Sequence, residues 1–340
     1  MTEIERIPAI LVGAGKWVDQ FWVPFLTAQP YLDVVAVVDI NQTAARPVSE
    51  RLGTVDVFGS MGEATSAHPE LVVALVISNP EVHADLIVKA AELGLDVVTE
   101  KPAALTVDGL RALQSLPASF KAVVIQNYRY EAMIQTLRGV LTTYELGAVH
   151  GVSARFAADY RVFGSWDVGD AHEMSHPMLL EGSIHHFDMM RYLVGADASR
   201  VVASEANPAH SSFKEGALVS CIVEFSNGVL GTYEASLLAA GRENRWHHEY
   251  YRLDCQRGSI EFDGWQVRVL QGKSVVNIEV IGDPSARNGH LEIVEQYVRW
   301  RTGGPVAETA LVDNLKSVAM VMAAVESIET GGWCDVDNVR

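Results

Sequence analysis

The sequence predicts an α/β chain in two parts: a doubly wound parallel sheet first, then an α+β half built on an open, mostly antiparallel sheet. Three observations lead there. Up to about Asn127, short and nearly all-apolar strands rich in Val and Ile alternate with helical segments. Beyond it, longer runs alternate apolar with polar residues, and their connections are too short to hold crossover helices. The 340 residues suffice for two domains of ordinary size, expected at 1–127 and 128–340.

IPAILVGAG reads as a strand entering a turn, followed by a segment to Ala28. VVAVVDI is a strand, Thr43 to Leu52 a helix, and VDVFG a third strand. LVVALVIS, the helical VHADLIVKAAELG, the short strand DVVTE, a helix around Val107 to Ser115 and the strand KAVVIQN complete the first half. Strands apolar on both faces imply helices on both sides of the sheet. In the second half VHGVSARFAAD, ALVSCIVEFSNGVLGTYEASLL, HHEYYRLDC, GSIEFDG, WQVRVLQ and SVVNIEVI carry the period of two, and Asn227-Gly228 is a hairpin signal. LLEGSIHHFDMMRYL reads as a helix, and a last helix over 311–329 stops at Gly331-Gly332.

A composition of 49% hydrophobic and 20% charged residues excludes a disordered chain. The formal charge of −17, with no basic run, argues against a nucleic-acid partner. Cys221, Cys255 and Cys334 are odd in number and widely spaced, which speaks against a disulfide framework and fits a reducing cytoplasm. No apolar run approaches the roughly 20 residues of a membrane span, so a cytoplasmic protein without a membrane partner is expected.

GAGKWV follows a strand and opens a helix. There Gly13 permits a tight turn and Gly15 lets a pyrophosphate approach backbone N–H groups at the helix start. Val18 stands where the dinucleotide fingerprint has its third glycine, and a bare strand-to-helix turn is the plain alternative. Asp39, at the end of the second strand, is placed to bind ribose hydroxyls, which makes the first half an NAD(P)-binding Rossmann domain. Asp39 repels a 2′-phosphate and Ile40, Asn41 and Gln42 offer no arginine, so NAD is favoured, with NADP open through Arg46.

TEKPAAL puts Glu100, Lys101 and Pro102 at the carboxyl edge of the sheet, where ligands bind in such folds. At this point the chain resembles the family named for glucose-fructose oxidoreductase, inositol dehydrogenase and MocA. The likeness runs in order through GAGKW, Asp39, SNPEVH, TEKP, QNYRY, LLEGSIHHFDMMRYLVG and AMVMAAVESIETG. Departures are Asn79 for a proline, Ser183 for the helix glycine, and Glu181 for the catalytic aspartate. The resemblance implies hydride transfer between a nicotinamide and a sugar, polyol or related cyclic alcohol or ketone. It implies His185 as general acid/base, Lys101 on the same substrate oxygen, and Glu181 orienting His185. It extends the cofactor contacts to Lys16, Trp17, Ser78, Asn79, His83, Glu100, Lys101 and Asn127, and brings Arg129 to the substrate. It also implies a homodimer or homotetramer paired through the open sheet, since a broad apolar face is unfavourable in a monomer. A catalytically silent dinucleotide or sugar sensor of the same fold is the alternative.

If LLEGSIHHFDMMRYL is helical throughout, Glu181, His185 and Asp188 share one face at i, i+4 and i+7, with Asp188 a candidate substrate contact. A carboxylate beside an imidazole fixes its tautomer and raises its basicity. The plain alternative is a half-buried, hydrogen-bonded histidine. Just before lies HEMSH, an H-E-x-x-H zinc pattern, but Pro177 disfavours helical geometry at His176, so no metal site is expected. His172 and His176 then belong to a loop, with His176 a candidate substrate contact. Tyr160 and Trp166 precede it; an indole face can stack on a sugar ring, and ordinary packing is the alternative.

Overall fold

The computed structural model describes residues 6–53, 56–166, 171–241, 243–281 and 289–339. From β1 (Ile7–Val12) the chain enters a helical stretch, 16–28, whose middle (Val18–Trp22) is a π-turn and whose end is α1 (Val23–Ala28). Then come β2 (Leu32–Val38), α2 (Gln42–Arg51), β3 (Val57–Phe58), α3 (Met61–Ala67), β4 (Val73–Val76), α4 (His83–Glu92), β5 (Asp96–Thr99), α5 (Val107–Gln114) and β6 (Ala122–Val124). A one-turn helix (Asn127–Tyr130) leads to α6 (Ala132–Thr143), β7 (Val149–Ala157), and a second π-turn (Met178–Gly182) that runs into α7 (Ser183–Val194). Strands β8 (Ala198–Ala206), β9 (Leu218–Phe225), β10 (Leu230–Ser236), β11 (Tyr250–Cys255), β12 (Gly258–Phe262), β13 (Val267–Gln271) and β14 (Ser274–Ile278) follow. The chain closes with α8 (Gly289–Arg301), α9 (Leu311–Thr330), β15 (Cys334–Asp335) and α10 (Val336–Val339).

Two compact units result: Met1–Ile125 with His290–Leu315, and Gln126–Gly289 with Lys316–Arg340. The first holds a six-stranded parallel sheet in the order β3-β2-β1-β4-β5-β6. Every residue of β4 is buried, as the apolar run predicts for a strand covered on both faces. Side-chain caps set the helix starts: Asn41 accepts from the Ala44 N–H, Ser60 from Glu63 and Thr106 from Gly109. The strand expected over VDVFG shrinks to Val57–Phe58, and its Val55 lies outside the described residues. Helix α3, MGEATSA, has no apolar period to announce it; its Ser60 cap was the available signal.

The units differ from the expected division into 1–127 and 128–340 at two places: residues 126 and 127 fall in the second unit, and residues 290–315 in the first. Long-range contacts hold the latter there: Tyr297 donates to Asp96 at 3.0 Å, Arg301 pairs with the same carboxylate, and Ala310 bridges to Val123 in β6. Nothing local in the α8 sequence encodes that return.

The second unit carries a nine-stranded sheet, β14-β13-β12-β11-β7-β10-β9-β8-β15. All neighbours are antiparallel except β7 and β10. The hairpin at Asn227-Gly228 forms, with Gly228 at φ 84°. Burial alternates along β9, β10 and β11, one face covered and one open. The open face is not the broad apolar surface expected. One row across it reads Ile222, Thr232, Ser153, Arg252, Glu261 and Arg268, with ion pairs from both arginines to Glu261. Exposed apolar residues on it include Ile222 and Leu230. Among the described residues no helix is long and apolar enough to cross a membrane.

Candidate active site

In the first unit the predicted cofactor residues gather at the carboxyl ends of β1, β2, β4 and β5, neighbours in the sheet. The strand order reverses between β1 and β4, which opens a crevice there. Gly13 has φ +105°, and a Cβ on it would lie 2.1 Å from the Ile77 carbonyl oxygen, so only glycine fits. A Cβ on Gly15 would meet nothing within 4 Å, which leaves its backbone open to a ligand. The Asp39 carboxylate closes this turn, accepting from the N–H groups of Ala14 (2.9 Å) and Asn41 (2.7 Å). Ile40 beside it is 97% exposed, a free apolar surface for a purine face. These residues fit a dinucleotide: a turn without side chains, a carboxylate at the strand end, and exposed Lys16 and Trp17 at the helix start.

Three other predicted cofactor residues have structural work. His83 is fully buried, its ring nitrogens 2.9 Å from the Pro102 carbonyl oxygen and 3.1 Å from that of Ser78. It therefore ties the loop after β4 to the loop after β5 rather than facing a ligand. Glu100 is also buried, and its Oε1 accepts from the indole N–H groups of Trp17 (3.0 Å) and Trp22 (2.9 Å). Burial alone would raise its pKa, but the nearby His290 imidazole and the two indoles outweigh that and hold it at about 2. Asn79 caps the Pro80–Val82 turn by accepting from the Glu81 N–H, while Ser78 stays half-exposed. Lys101, half-buried, follows β5 with a cis peptide to Pro102.

In the second unit the catalytic candidates sit on the buried α7 and the turn before it. The uninterrupted helix expected from 179 to 193 is corrected to a π-turn ending at Gly182 and an α-helix from Ser183. The spacing from Glu181 to His185 thus crosses a change of helix type and is not a regular i, i+4 pair. Gly182 fits that junction because a Cβ would lie 2.5 Å from the Met178 Cε. His185 and Asp188 do share a face, turned to the segment 126–129. His185 Nδ1 lies 3.2 Å from the Gln126 Oε1, and its ring stacks on Tyr128 at 4.3 Å and 11°.

Arg129 and Asp188, expected to contact substrate, instead bind each other. Two guanidinium nitrogens of Arg129 donate to the Asp188 carboxylate at 2.7 Å each, with side chains 6% and 0% exposed. Ser317 donates to the same carboxylate at 2.8 Å. The Asp188 carboxylate is wholly buried and accepts three hydrogen bonds, and the pair locks α7 to the 127–130 turn. Asn127 opens that turn, half-buried.

Sequence reasoning missed the residues behind this face. Tyr128 also packs on His247 at 4.7 Å, and His247 Nδ1 is paired with Glu131. The His247 N–H donates to Glu249 at 3.1 Å, and burial, with Glu131 nearby, pushes Glu249 up to about 8. His186 lies 3.5 Å from Glu249, and its Nδ1 is 2.7 Å from the Tyr233 hydroxyl. Ser183 donates to that same hydroxyl at 3.0 Å. Trp246 donates to the Tyr160 hydroxyl at 2.7 Å, and Tyr160 stacks on Trp166 at 5.4 Å. Trp166 is buried, which makes it packing for that aromatic group. Nothing at single positions signals these contacts, since each joins segments distant in sequence.

HEMSH is not helical: residues 171–176 form turns and bends. His172 is buried and stacked on Phe213 at 4.1 Å, while His176 adopts φ 50° with Nδ1 2.6 Å from Glu205. The two rings take different partners and share no helix face.

Residues 7–128 match the oxidoreductase family with an NAD-binding Rossmann fold, and residues 134–261 match the GFO/IDH/MocA C-terminal domain. The chain is 30% identical over 340 residues to an uncharacterized protein of Sinorhizobium fredii, covering 94% of this chain and 93% of that one. It is 24% identical over 346 residues to D-glucoside 3-dehydrogenase of Escherichia coli, covering 94% and 95%. A crystal structure of an oxidoreductase from Agrobacterium radiobacter in complex with NAD+, L-tartaric acid and magnesium is similar, with a TM-score of 0.85 and 19% identity over 98% of this chain and 100% of that one. Matches of this extent in both parts of the sequence establish that the chain belongs to the GFO/IDH/MocA family of oxidoreductases, with its NAD-binding Rossmann domain and its C-terminal domain.

Proposed function

We propose that the protein is a dehydrogenase or reductase that uses NAD in preference to NADP and acts on a secondary alcohol, or the matching ketone, of a sugar or polyol. The observation that carries this reading is the setting of His185: a buried helical imidazole whose Nδ1 faces the Gln126 Oε1 and whose ring is held against Tyr128. With the Gln126 oxygen accepting, the neutral ring keeps its proton on Nδ1 and its lone pair on Nε2. Nε2 then takes the substrate hydroxyl proton in oxidation and returns it in reduction. Lys101 donates to the same oxygen and stabilises its negative charge. Glu181 acts on His185 from the preceding π-turn. The bound nicotinamide supplies the hydride acceptor or donor. The Asp39 carboxylate disfavours a 2′-phosphate, which supports NAD over NADP. The likeness to D-glucoside 3-dehydrogenase supports a sugar substrate.

The test is a panel of sugars, glycosides and polyols with NAD and NADP, read as reduced-nicotinamide absorbance. The variants His185→Ala and Lys101→Ala are each expected to lose about 10²- to 10⁴-fold in kcat/KM while still binding NAD. Full activity of the His185 variant removes it as the base. Tight NAD binding by wild type without turnover of any alcohol points instead to a sensor.

A further inference from the structure

The loop 243–249 contains a histidine that no catalytic role has claimed. Among the described residues only two non-glycine positions have positive φ, His176 and His247, and His247 stands at φ 70°. That region disfavours an L side chain and persists only where the surroundings over-determine it, which is common at functional sites. Here three contacts impose it. The His247 N–H is held by the buried Glu249, Nδ1 by Glu131, and the ring by Tyr128, the same ring that stacks on His185. Behind the loop, Glu249 and His186 continue into the Tyr233 and Ser183 hydroxyls, so the loop is fixed from its inner side.

The outer side of the ring is different. His247 Nε2 has no hydrogen-bond or ion-pair partner among the described residues, and the side chain keeps 20% of its surface exposed. Its neighbour Trp246 lies 6.4 Å from the His185 ring, edge to face, with its N–H directed to Tyr160. One loop thus brings an aromatic ring and an unengaged imidazole nitrogen to the surroundings of His185. An aromatic ring with a few fixed polar atoms is what a polyhydroxylated ring requires.

We propose that His247, held by Glu131, is a specificity-determining residue that accepts a hydrogen bond at Nε2 from a second hydroxyl of the same sugar or polyol whose alcohol proton passes to His185. Glu131 is its positioning residue: a carboxylate on Nδ1 keeps the proton there and the lone pair on Nε2. This assignment rests on the functional reading above.

The test compares wild type with His247→Asn and Glu131→Gln, using D-glucose, a methyl D-glucoside, myo-inositol and their singly deoxygenated analogues. Asparagine tolerates positive φ, so the fold is retained while Nε2 is removed. Wild type is expected to lose about tenfold to a hundredfold in kcat/KM against one deoxygenated analogue. His247→Asn should lose a similar factor against the parent substrate, mainly in KM, and no longer distinguish that analogue. Glu131→Gln should fall between. NAD affinity, measured by calorimetry, should match wild type in both variants. Turnover by wild type with unchanged KM and unchanged analogue discrimination in both variants overturns this assignment alone. Absence of both turnover and calorimetric binding for every compound with wild type overturns the functional reading and this assignment with it.

Discussion

Gly13 shows how one position carries a site. Its φ of +105° and the 2.1 Å approach of a notional Cβ to the Ile77 carbonyl oxygen mean that any side chain must push β1 away from the loop after β4. Those are two of the segments that shape the cofactor crevice. Gly13→Ala is therefore expected to cost more than about 2 kcal/mol in stability. NAD binding should weaken with it, because the backbone that approaches the pyrophosphate shifts. Calorimetric NAD titration and thermal melting check this together, and wild-type values in both would show that the turn relaxes freely. Gly15, with open space around its Cβ position, should tolerate Ala in stability yet lose affinity.

Helix α7 is buried on every side, with Tyr192 its one half-exposed residue, so each polar group along it needs an internal partner. Asp188 finds Arg129 and Ser317, with a second guanidinium from Arg191 at 3.7 Å. Asp188→Asn leaves Arg129 buried without its countercharge, and a loss of about 3–5 kcal/mol is expected from urea unfolding. Replacing both partners, Arg129→Met with Asp188→Leu, should recover most of it, since the cost lies in the stranded charge. A single variant as stable as wild type would mean that the pair does not anchor the helix. The proposed role of His185 rests on the same anchor, because the segment that holds Arg129 also supplies Gln126 and Tyr128 to His185.

Across the whole molecule two buried carboxylates, one in each unit, respond to pH in opposite directions. Glu249, in the second unit, has its pKa raised by burial to about 8. Its native state keeps a proton that the unfolded chain releases near the ordinary carboxylate value of about 4.3, so its contribution to stability is lost as pH rises from there through about 8. Glu100, in the first unit, is held down at about 2. Its contribution is present above the ordinary carboxylate pKa and is lost as pH falls toward about 2. Glu249→Gln keeps an acceptor for the His247 N–H and cannot ionise. Relative to wild type, this variant should therefore gain stability steadily from about pH 5 to about pH 8 in thermal melts. A constant difference across that range would show that Glu249 is ionised in the native protein.

The fold class was legible in the sequence because its signals are local and repeated. Runs such as VVAVVDI and LVVALVIS required strands buried on both faces, while the period of two from VHGVSARFAAD onward required an open sheet. The placement of the glycine turn, Asp39 and Lys101 was legible for the same reason: each stands at the end of a recognisable strand. Only the tertiary structure brought α8 back to Asp96 and Val123, paired Arg129 with Asp188, and interrupted the Glu181–His185 spacing with a π-turn. Tertiary structure alone also put His247 and Tyr128 together across more than a hundred residues. Periodicity and strand ends are written in neighbouring residues, whereas burial partners are chosen by whichever distant segment fills the space, and no pattern along the chain records that choice.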